Sequence, residues 1–164
     1  MVGQILFIII AAFTLLMALG TVVSRNLFHA ALYLVGVFFG IAAIFILLEA
    51  EFLAMAQVII YIGAIATLIV FAIMLSKGMM GREGGAYNKQ WYFAGGAMIF
   101  FFGLVSWLLV KMPFAITTAS VPDDAIQQIG LGFVGHYVVP FEVASILLLV
   151  ALVGAIMLAR ERNG

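Results

Sequence analysis

The sequence contains no cysteine and few charged residues. Without cysteine, the chain cannot hold thiolate-ligated zinc, an iron-sulfur centre or a disulfide. Asp, Glu, Lys and Arg make up only 9% of the residues, whereas they make up about a quarter of a soluble domain. The seven acidic and seven basic residues balance, so no basic face exists that could neutralise nucleic-acid phosphates. These deficits exclude an ordinary soluble fold and a nucleic-acid partner.

Hydrophobic residues make up 67% of the 164 residues, and most of them fall in five long runs. A helix needs about 20 mainly apolar residues to cross roughly 30 Å of hydrocarbon. The sequence therefore predicts an all-α, polytopic protein of the lipid bilayer that forms a single membrane domain over residues 1–164. The predicted transmembrane helices cover residues 2–23, 28–48, 52–75, 91–110 and 141–159, and residues 111–140 form an outer loop.

The basic residues are distributed unevenly between the two sides of these predicted spans. Cytoplasmic loops retain an excess of Lys and Arg. Lys111 lies alone on one side, and the other six basic residues all lie on the opposite side. The N-terminus is therefore predicted to lie outside and the C-terminus in the cytoplasm.

A short surface helix is predicted within the outer loop, over residues 122–130. Pro122 suits the first position of a helix, and Asp123 and Asp124 favour the positive end of the helix dipole. Gly130 suits the end of such a helix.

Polar side chains are scarce inside the five predicted spans, where lipid makes each of them costly. No carboxylate, lysine or histidine falls near the middle of any span. A conventional proton relay or ion site needs an exchangeable charge at that depth. The chain alone is therefore predicted to be a poor pump that has to act with partners, and a free-standing transporter is disfavoured.

The third span contains the most informative polar residues. Gln57 and Tyr61 share one helix face, and Gly63 and Thr67 share another. Packing between helices is the simpler explanation for all four. The alternative is that Tyr61 beside Gly63 marks a place where the helix changes register or admits water. Glycine and irregular hydrogen bonding accompany kinks and single wide turns, which often lie at functional sites.

Two acidic residues at the ends of predicted spans also have two interpretations. Glu51 precedes the third span and Glu142 opens the fifth. Exposed acids need no function there, because a carboxylate is favourable at a helix N-terminus. The alternative is that a partly buried carboxyl at either position exchanges protons with an adjacent channel.

Small residues predict close contacts between helices. Gly36 and Gly40 are four residues apart in the second span, which is typical of a helix-packing motif. Gly95, Gly96 and Gly103 in the fourth span have the same interpretation.

Three motifs occur in order within residues 26–75: H-A-A-L-Y-L, A-E-F-L and Q-V-I-I-Y-I-G-A-I. This stretch resembles the most characteristic part of subunit J of bacterial NADH-quinone oxidoreductase. That subunit is the counterpart of mitochondrial NADH dehydrogenase subunit 6 in respiratory complex I. Residues 141–160 resemble the last span of the same family, and the two stretches together cover 70 of the 164 residues.

The resemblance implies a non-catalytic membrane subunit of a proton-translocating, quinone-reducing enzyme of the respiratory chain. This translocase would lie in the bacterial inner (plasma) membrane, with the chain between the quinone-side and antiporter-like subunits. NADH, FMN, iron-sulfur clusters and quinone would then be bound by partner subunits, and this chain would bind no cofactor. Tyr61 and Gly63 match a wide helical turn that comes and goes as the complex changes state, and Glu51 and Glu142 match acids of the family pattern.

The sequence departs from the family pattern at two places. Leu27 stands where proline usually follows the asparagine, and Ala66 and Thr67 stand where bulky residues commonly follow G-A-I. Two alternative functions stay open. The chain could be the equivalent subunit of a ferredoxin-linked or antiporter-type relative, or a purely structural packing or assembly subunit.

Overall fold

The computed structural model describes residues 2–76, 91–112, 122 and 124–160 of the chain. Within these residues the chain is helical, and five of its helices are long and apolar enough to cross a membrane. The prediction of an all-α fold with five such helices is confirmed, whereas the orientation of the termini and the single membrane domain stay predictions. The helices are α1 (Val2–Val23), α2 (Leu27–Leu47), α3 (Glu51–Ser76), α4 (Trp91–Lys111), α5 (Ala125–Val134) and α6 (Val138–Ala159).

The second helix begins regularly at Leu27, at the position where the resemblance implies a proline. Asn26 precedes α2 in an extended conformation, and its side chain accepts a hydrogen bond from the backbone N–H of Phe28 at 2.9 Å. This bond satisfies one of the N–H groups that have no partner at a helix N-terminus. An asparagine cap is therefore sufficient to start α2 with Leu27 at its first position.

A turn of three residues, 48–50, separates α2 from α3. Glu49 adopts the left-handed conformation with φ 57°, which commonly ends a helix. The backbone N–H of Ala50 then donates to the carbonyl of Phe45 at 2.9 Å. Because this connection is so short, α2 and α3 run antiparallel and lie side by side.

Glycines bring α1 and α2 close together. A Cβ atom built at Gly36 would lie 3.0 Å from Cγ and Sδ of Met17. One built at the buried Gly40 would overlap Oγ1 of Thr14 and lie 3.0 Å from its Cβ. The packing role predicted for Gly36 and Gly40 is therefore confirmed.

Small residues also make up the buried interior of the described chain. No large side chain in the described residues is fully buried. Lipid provides no hydrophobic drive for helices to associate, so close backbone approach between small residues takes its place. The buried residues are Ala31, Gly40, Ala42, Ala54, Gln57 and Ala66.

The glycines of α4 behave differently. A Cβ atom built at Gly95, Gly96 or Gly103 would meet nothing within 4 Å. Nearly all the side chains of α4 are exposed. A packing role for these glycines therefore stays a prediction that concerns contacts with other chains.

Residues 118–164 form a second compact unit, distinct from residues 1–117. A helix occurs in the predicted place, but α5 runs over Ala125–Val134 and not over residues 122–130. Pro122 lies before the helix, where its carbonyl accepts from the N–H of Ala125 at 3.0 Å. Gly130 does not end α5, because helical hydrogen bonding continues to Val134. Asp123 lies outside the described residues.

The last span begins earlier than the sequence indicated. α6 starts at Val138 and not at residue 141, so the outer loop is shorter than predicted. Pro140 therefore lies in the first turn of α6. Proline is tolerated there because the N–H it lacks would have no helical partner.

Candidate functional site

The third helix contains a long stretch of wide, π-helical hydrogen bonding. α3 begins with a regular section, Glu51–Ala56, and ends with another, Thr67–Ser76. Between them, Gln57–Ala66 forms a π-helix of 10 residues, the helix type whose hydrogen bonds run from an N–H to the carbonyl five residues back. We call Gln57–Ala66 the wide section. Such bonding is rare and usually limited to one turn, and it is frequent at functional sites.

The residue types of the wide section favour regular helix only weakly. Five of its ten residues are β-branched, which lowers their helix propensity slightly. Gly63 adds glycine, the residue type with the lowest helix propensity apart from proline. A Cβ atom built at Gly63 would lie 3.5 Å from the carbonyl oxygen of Val58, five residues back. The glycine therefore leaves open the space in front of this carbonyl.

The hydroxyl of Thr67 follows the same five-residue spacing. It donates to the carbonyl oxygen of Ile62 at 3.4 Å. By contrast, the hydroxyls of Thr14, Thr21 and Ser145 each donate to the carbonyl four residues back, at 2.7 to 3.0 Å. The side chain of Thr67 thus extends the altered spacing to the boundary of the wide section.

Tyr61 joins the wide section to α2. Its ring lies edge-on to that of Phe38, with 5.5 Å between centroids and 66° between planes. The side chain is 44% exposed, so only part of it is held in this contact. The sequence did not single out Phe38, although a signal exists, because Phe38 and Tyr61 lie at nearly equal distances along the chain from the turn at residues 48–50 in an antiparallel pair.

Gln57 is the only buried polar residue among those the structure describes, with 6% exposure. It opens the wide section, whereas Gly63 and Thr67 are exposed on the surface of the chain. Burying an amide is costly unless it forms hydrogen bonds. That Gln57 and Tyr61 share one helix face stays a prediction, since Gln57 is buried and Tyr61 is exposed.

The two predicted acids belong to different helices. Glu51 is the first residue of α3 and is exposed, six residues before Gln57. Glu142 lies in the second turn of α6 and is also exposed, within the second compact unit. The wide section and its ends thus bring together Gln57, Tyr61, Gly63 and Thr67, and Glu51 begins the same helix.

The site contains no metal-binding arrangement. Across the described parts of the chain, no three His, Asp or Glu residues are grouped so as to hold a metal ion. The arrangement provides hydroxyl and amide groups, which are able to hydrogen-bond water.

Comparison with known proteins places most of the chain in one family. The model of the family described as NADH-ubiquinone/plastoquinone oxidoreductase chain 6 matches residues 17–158. NAD(P)H-quinone oxidoreductase chain 6 of Leptolyngbya boryana is 43% identical over 94% of this chain and 78% of its own length. The protein of the same name in Synechocystis is 39% identical over 98% of this chain and 82% of its own. F(420)H(2) dehydrogenase subunit J of Methanosarcina mazei is 36% identical over 94% and 89%.

Proposed function

The chain belongs to the NADH-ubiquinone/plastoquinone oxidoreductase chain 6 family, and from this premise we propose that it couples quinone reduction to proton translocation. It is a multi-pass membrane subunit of a complex I-type enzyme. The coupling element is the wide section of α3. The observation that supports this role is the 10-residue π-helix with Gly63 inside it and the Tyr61 contact to α2.

The proposed mechanism is a change of helical register. Quinone reduction elsewhere in the complex biases α3 between the wide spacing and the regular spacing of four residues. Each residue gained or lost from a turn rotates the rest of the helix by about 100° around its axis. Tyr61 then moves relative to Phe38 and opens or closes a path for water beside it.

Each residue of the site has a proposed part in this change. Gly63 leaves space for the carbonyl of Val58 in the wide spacing, and the Thr67 hydroxyl follows the spacing at the far end. Gln57 supplies an amide that both donates to and accepts from water. Glu51 and Glu142, which match acids of the family pattern, are proposed to exchange protons with neighbouring channels of the complex.

Partner subunits are proposed to supply the redox chemistry. A chain without cysteine has no thiolate for an iron-sulfur cluster. We place NADH, FMN, the iron-sulfur clusters and the quinone on other chains, and we take the quinone-side and antiporter-like subunits as the membrane neighbours. The bacterial inner membrane is the proposed location. Relatives are named for NAD(P)H and for F(420)H(2), which favours an electron donor chosen by the partner subunits.

The backbone of α3 in two states of the assembled complex tests this proposal directly. We expect the oxidised, resting complex and the complex reduced in the presence of a quinone-site inhibitor to differ between Gln57 and Ala66. One state should have the five-residue spacing and the other the four-residue spacing. The measurement is the backbone hydrogen bonding in cryo-electron microscopy maps of both states. The same spacing in every state would contradict the proposal.

A structural packing subunit is the second candidate, and the ring contact between Tyr61 and Phe38 favours it. Tyr61→Phe separates the two functions because it keeps the ring and removes only the hydroxyl. If the chain is a gate, the variant complex should assemble at the normal level and lose proton translocation. A purely structural chain would lose activity only in proportion to assembled complex. Native-gel yield and proton pumping per quinone reduced are the two measurements.

A further inference from the structure

The helix α5 has an apolar face although it is too short to cross a membrane. Ile126, Ile129 and Phe133 recur at spacings of three and four residues, which places them on one face. Gln127 and Gln128 lie away from that face, together with two exposed apolar residues, Leu131 and Val134. Ile126 is 54% exposed and Phe133 is 40% exposed.

A tight turn ties α5 to the start of α6. The N–H of Tyr137 donates to the carbonyl of Gly132 at 2.8 Å, and the N–H of Val138 donates to that of Gly135 at 3.3 Å. The rings of Phe133 and Phe141 lie 5.8 Å apart with 33° between their planes. The apolar face of α5 is therefore continuous with the side of α6.

The length of α6 fixes the depth of this turn. A helix of 22 residues is about 33 Å long, which matches the hydrocarbon thickness of a bilayer. The first turn of α6 therefore lies at the boundary between hydrocarbon and headgroups. Since only residues 135–137 separate the helices, the end of α5 lies at that boundary too.

Two of the three possible directions for α5 are unfavourable. If α5 pointed into the bilayer, its length of about 15 Å would carry Asp124, Gln127 and Gln128 into hydrocarbon, where charged and polar groups are costly. If it stood up in water, Ile126 and Phe133 would be wetted. A direction within the membrane plane satisfies both sets of side chains.

We infer that α5 is an interfacial helix whose apolar face, Ile126, Ile129 and Phe133, rests on the lipid bilayer at the level of the headgroups. Gln127 and Gln128 face water. No Lys or Arg occurs in α5, so its attachment depends on apolar burial and not on attraction to anionic lipid. The Asp124 carboxylate accepts a hydrogen bond from Nε2 of Gln128 at 2.9 Å, and this polar pair stays on the aqueous side.

Single cysteines along α5 test the inference in the assembled complex. The chain has no cysteine of its own, so any label on its gel band reports the introduced residue. We compare Ile126→Cys and Phe133→Cys with the neighbouring controls Gln127→Cys and Gln128→Cys. A membrane-impermeant maleimide should label the two control positions faster by about tenfold or more, because it reacts only from water.

A second reagent separates lipid from protein as the cover. Each variant complex is labelled with pyrene maleimide in phosphatidylcholine vesicles, and nitroxide lipids with the quencher near the headgroup are added. The complex with the unmodified chain supplies the background. Stronger quenching at Ile126 and Phe133 than at the glutamine positions is expected. Equal aqueous labelling at all four positions would overturn the inference.

Protection of Ile126 and Phe133 from both water and lipid quencher would also overturn it, because a partner subunit would then cover the face. Phe133→Cys removes the ring contact with Phe141 and could impair assembly. In that case the adjacent pair Ile126→Cys and Gln127→Cys decides the question alone. The same measurement in vesicles with anionic lipid should give an unchanged pattern.

Discussion

Replacing Gly63 with valine is expected to separate quinone reduction from proton pumping. In the wide section, a Cβ atom at this position contacts the carbonyl oxygen of Val58 at 3.5 Å, an ordinary van der Waals distance. The two γ-carbons of valine have one preferred rotamer in a helix and lie against the preceding turn. We expect these γ-carbons to crowd the carbonyl more than Cβ alone does, so that overpacking destabilises the wide spacing by about 1–3 kcal/mol.

An energy of this size shifts the balance between the two spacings by about 5- to 140-fold, since each 1.4 kcal/mol is a factor of ten. We expect the complex to assemble and to reduce quinone, with protons pumped per electron lowered by a similar factor. Gly63→Leu should act in the same direction. Gly63→Ala should act more weakly, because its Cβ fits and alanine favours regular helix over glycine by about 1 kcal/mol at most.

The measurement is the ratio of proton uptake to quinone reduction in vesicles that contain the whole complex. Gly154→Val in α6 is the matched control, because a Cβ atom built at Gly154 meets nothing within 4 Å of the chain. A normal ratio in Gly63→Val and Gly63→Leu would refute the gate. Equal losses in the Gly63 and Gly154 variants would point to general damage to the membrane helices.

Replacing Gly40 is expected to give the largest loss of stability. Even alanine has no space there, because its Cβ would overlap Oγ1 of Thr14. That hydroxyl also donates to the carbonyl of Ile10 at 2.7 Å within its own helix, so it does not move away freely. Gly40→Ala should cost about 1–3 kcal/mol, as overpacking does elsewhere, and Gly40→Val should cost more.

A double-mutant cycle isolates this contact. Thr14→Ala removes the oxygen that Gly40→Ala would overlap, so the double variant should recover part of the lost stability. The measurement is the thermal midpoint and yield of the assembled complex on native gels. The control is Gly154→Ala, whose Cβ would meet nothing within 4 Å. If the Gly40 and Gly154 variants lose the same amount of stability, close packing of α1 on α2 is not the cause.

The five membrane-crossing helices could be predicted from the sequence because lipid imposes a length and excludes charge. Every uncharged run long enough to span became a helix close to its predicted bounds. The errors in the prediction concern the helix ends. Proline usually breaks a helix, so the sequence placed Pro140 before the last span, whereas the structure has it in the first turn of α6. Such ends depend on local hydrogen bonding, which composition does not specify.

The candidate site was predictable in part. Gly63 and Tyr61 stand out in a mainly apolar span, so the sequence indicated the part of α3 where the hydrogen bonding departs from that of a regular helix. Two features were not predictable: the ten-residue length of the wide section and the contact of Tyr61 with Phe38. Phe38 lies 23 positions away along the chain, and only the antiparallel pairing of α2 with α3 brings the rings together.

The sequence by itself determined that this chain is a membrane protein with five helices long enough to span the bilayer. It also determined that no cysteine is present to bind a redox centre. The tertiary structure decided which glycines are in contact, since Gly40 meets Thr14 whereas Gly95 meets nothing within 4 Å. It also decided the spacing of hydrogen bonds in α3. An apolar run of sufficient length satisfies its backbone groups within the helix in either spacing, so length and hydropathy predict a membrane-crossing helix without specifying its hydrogen-bond spacing.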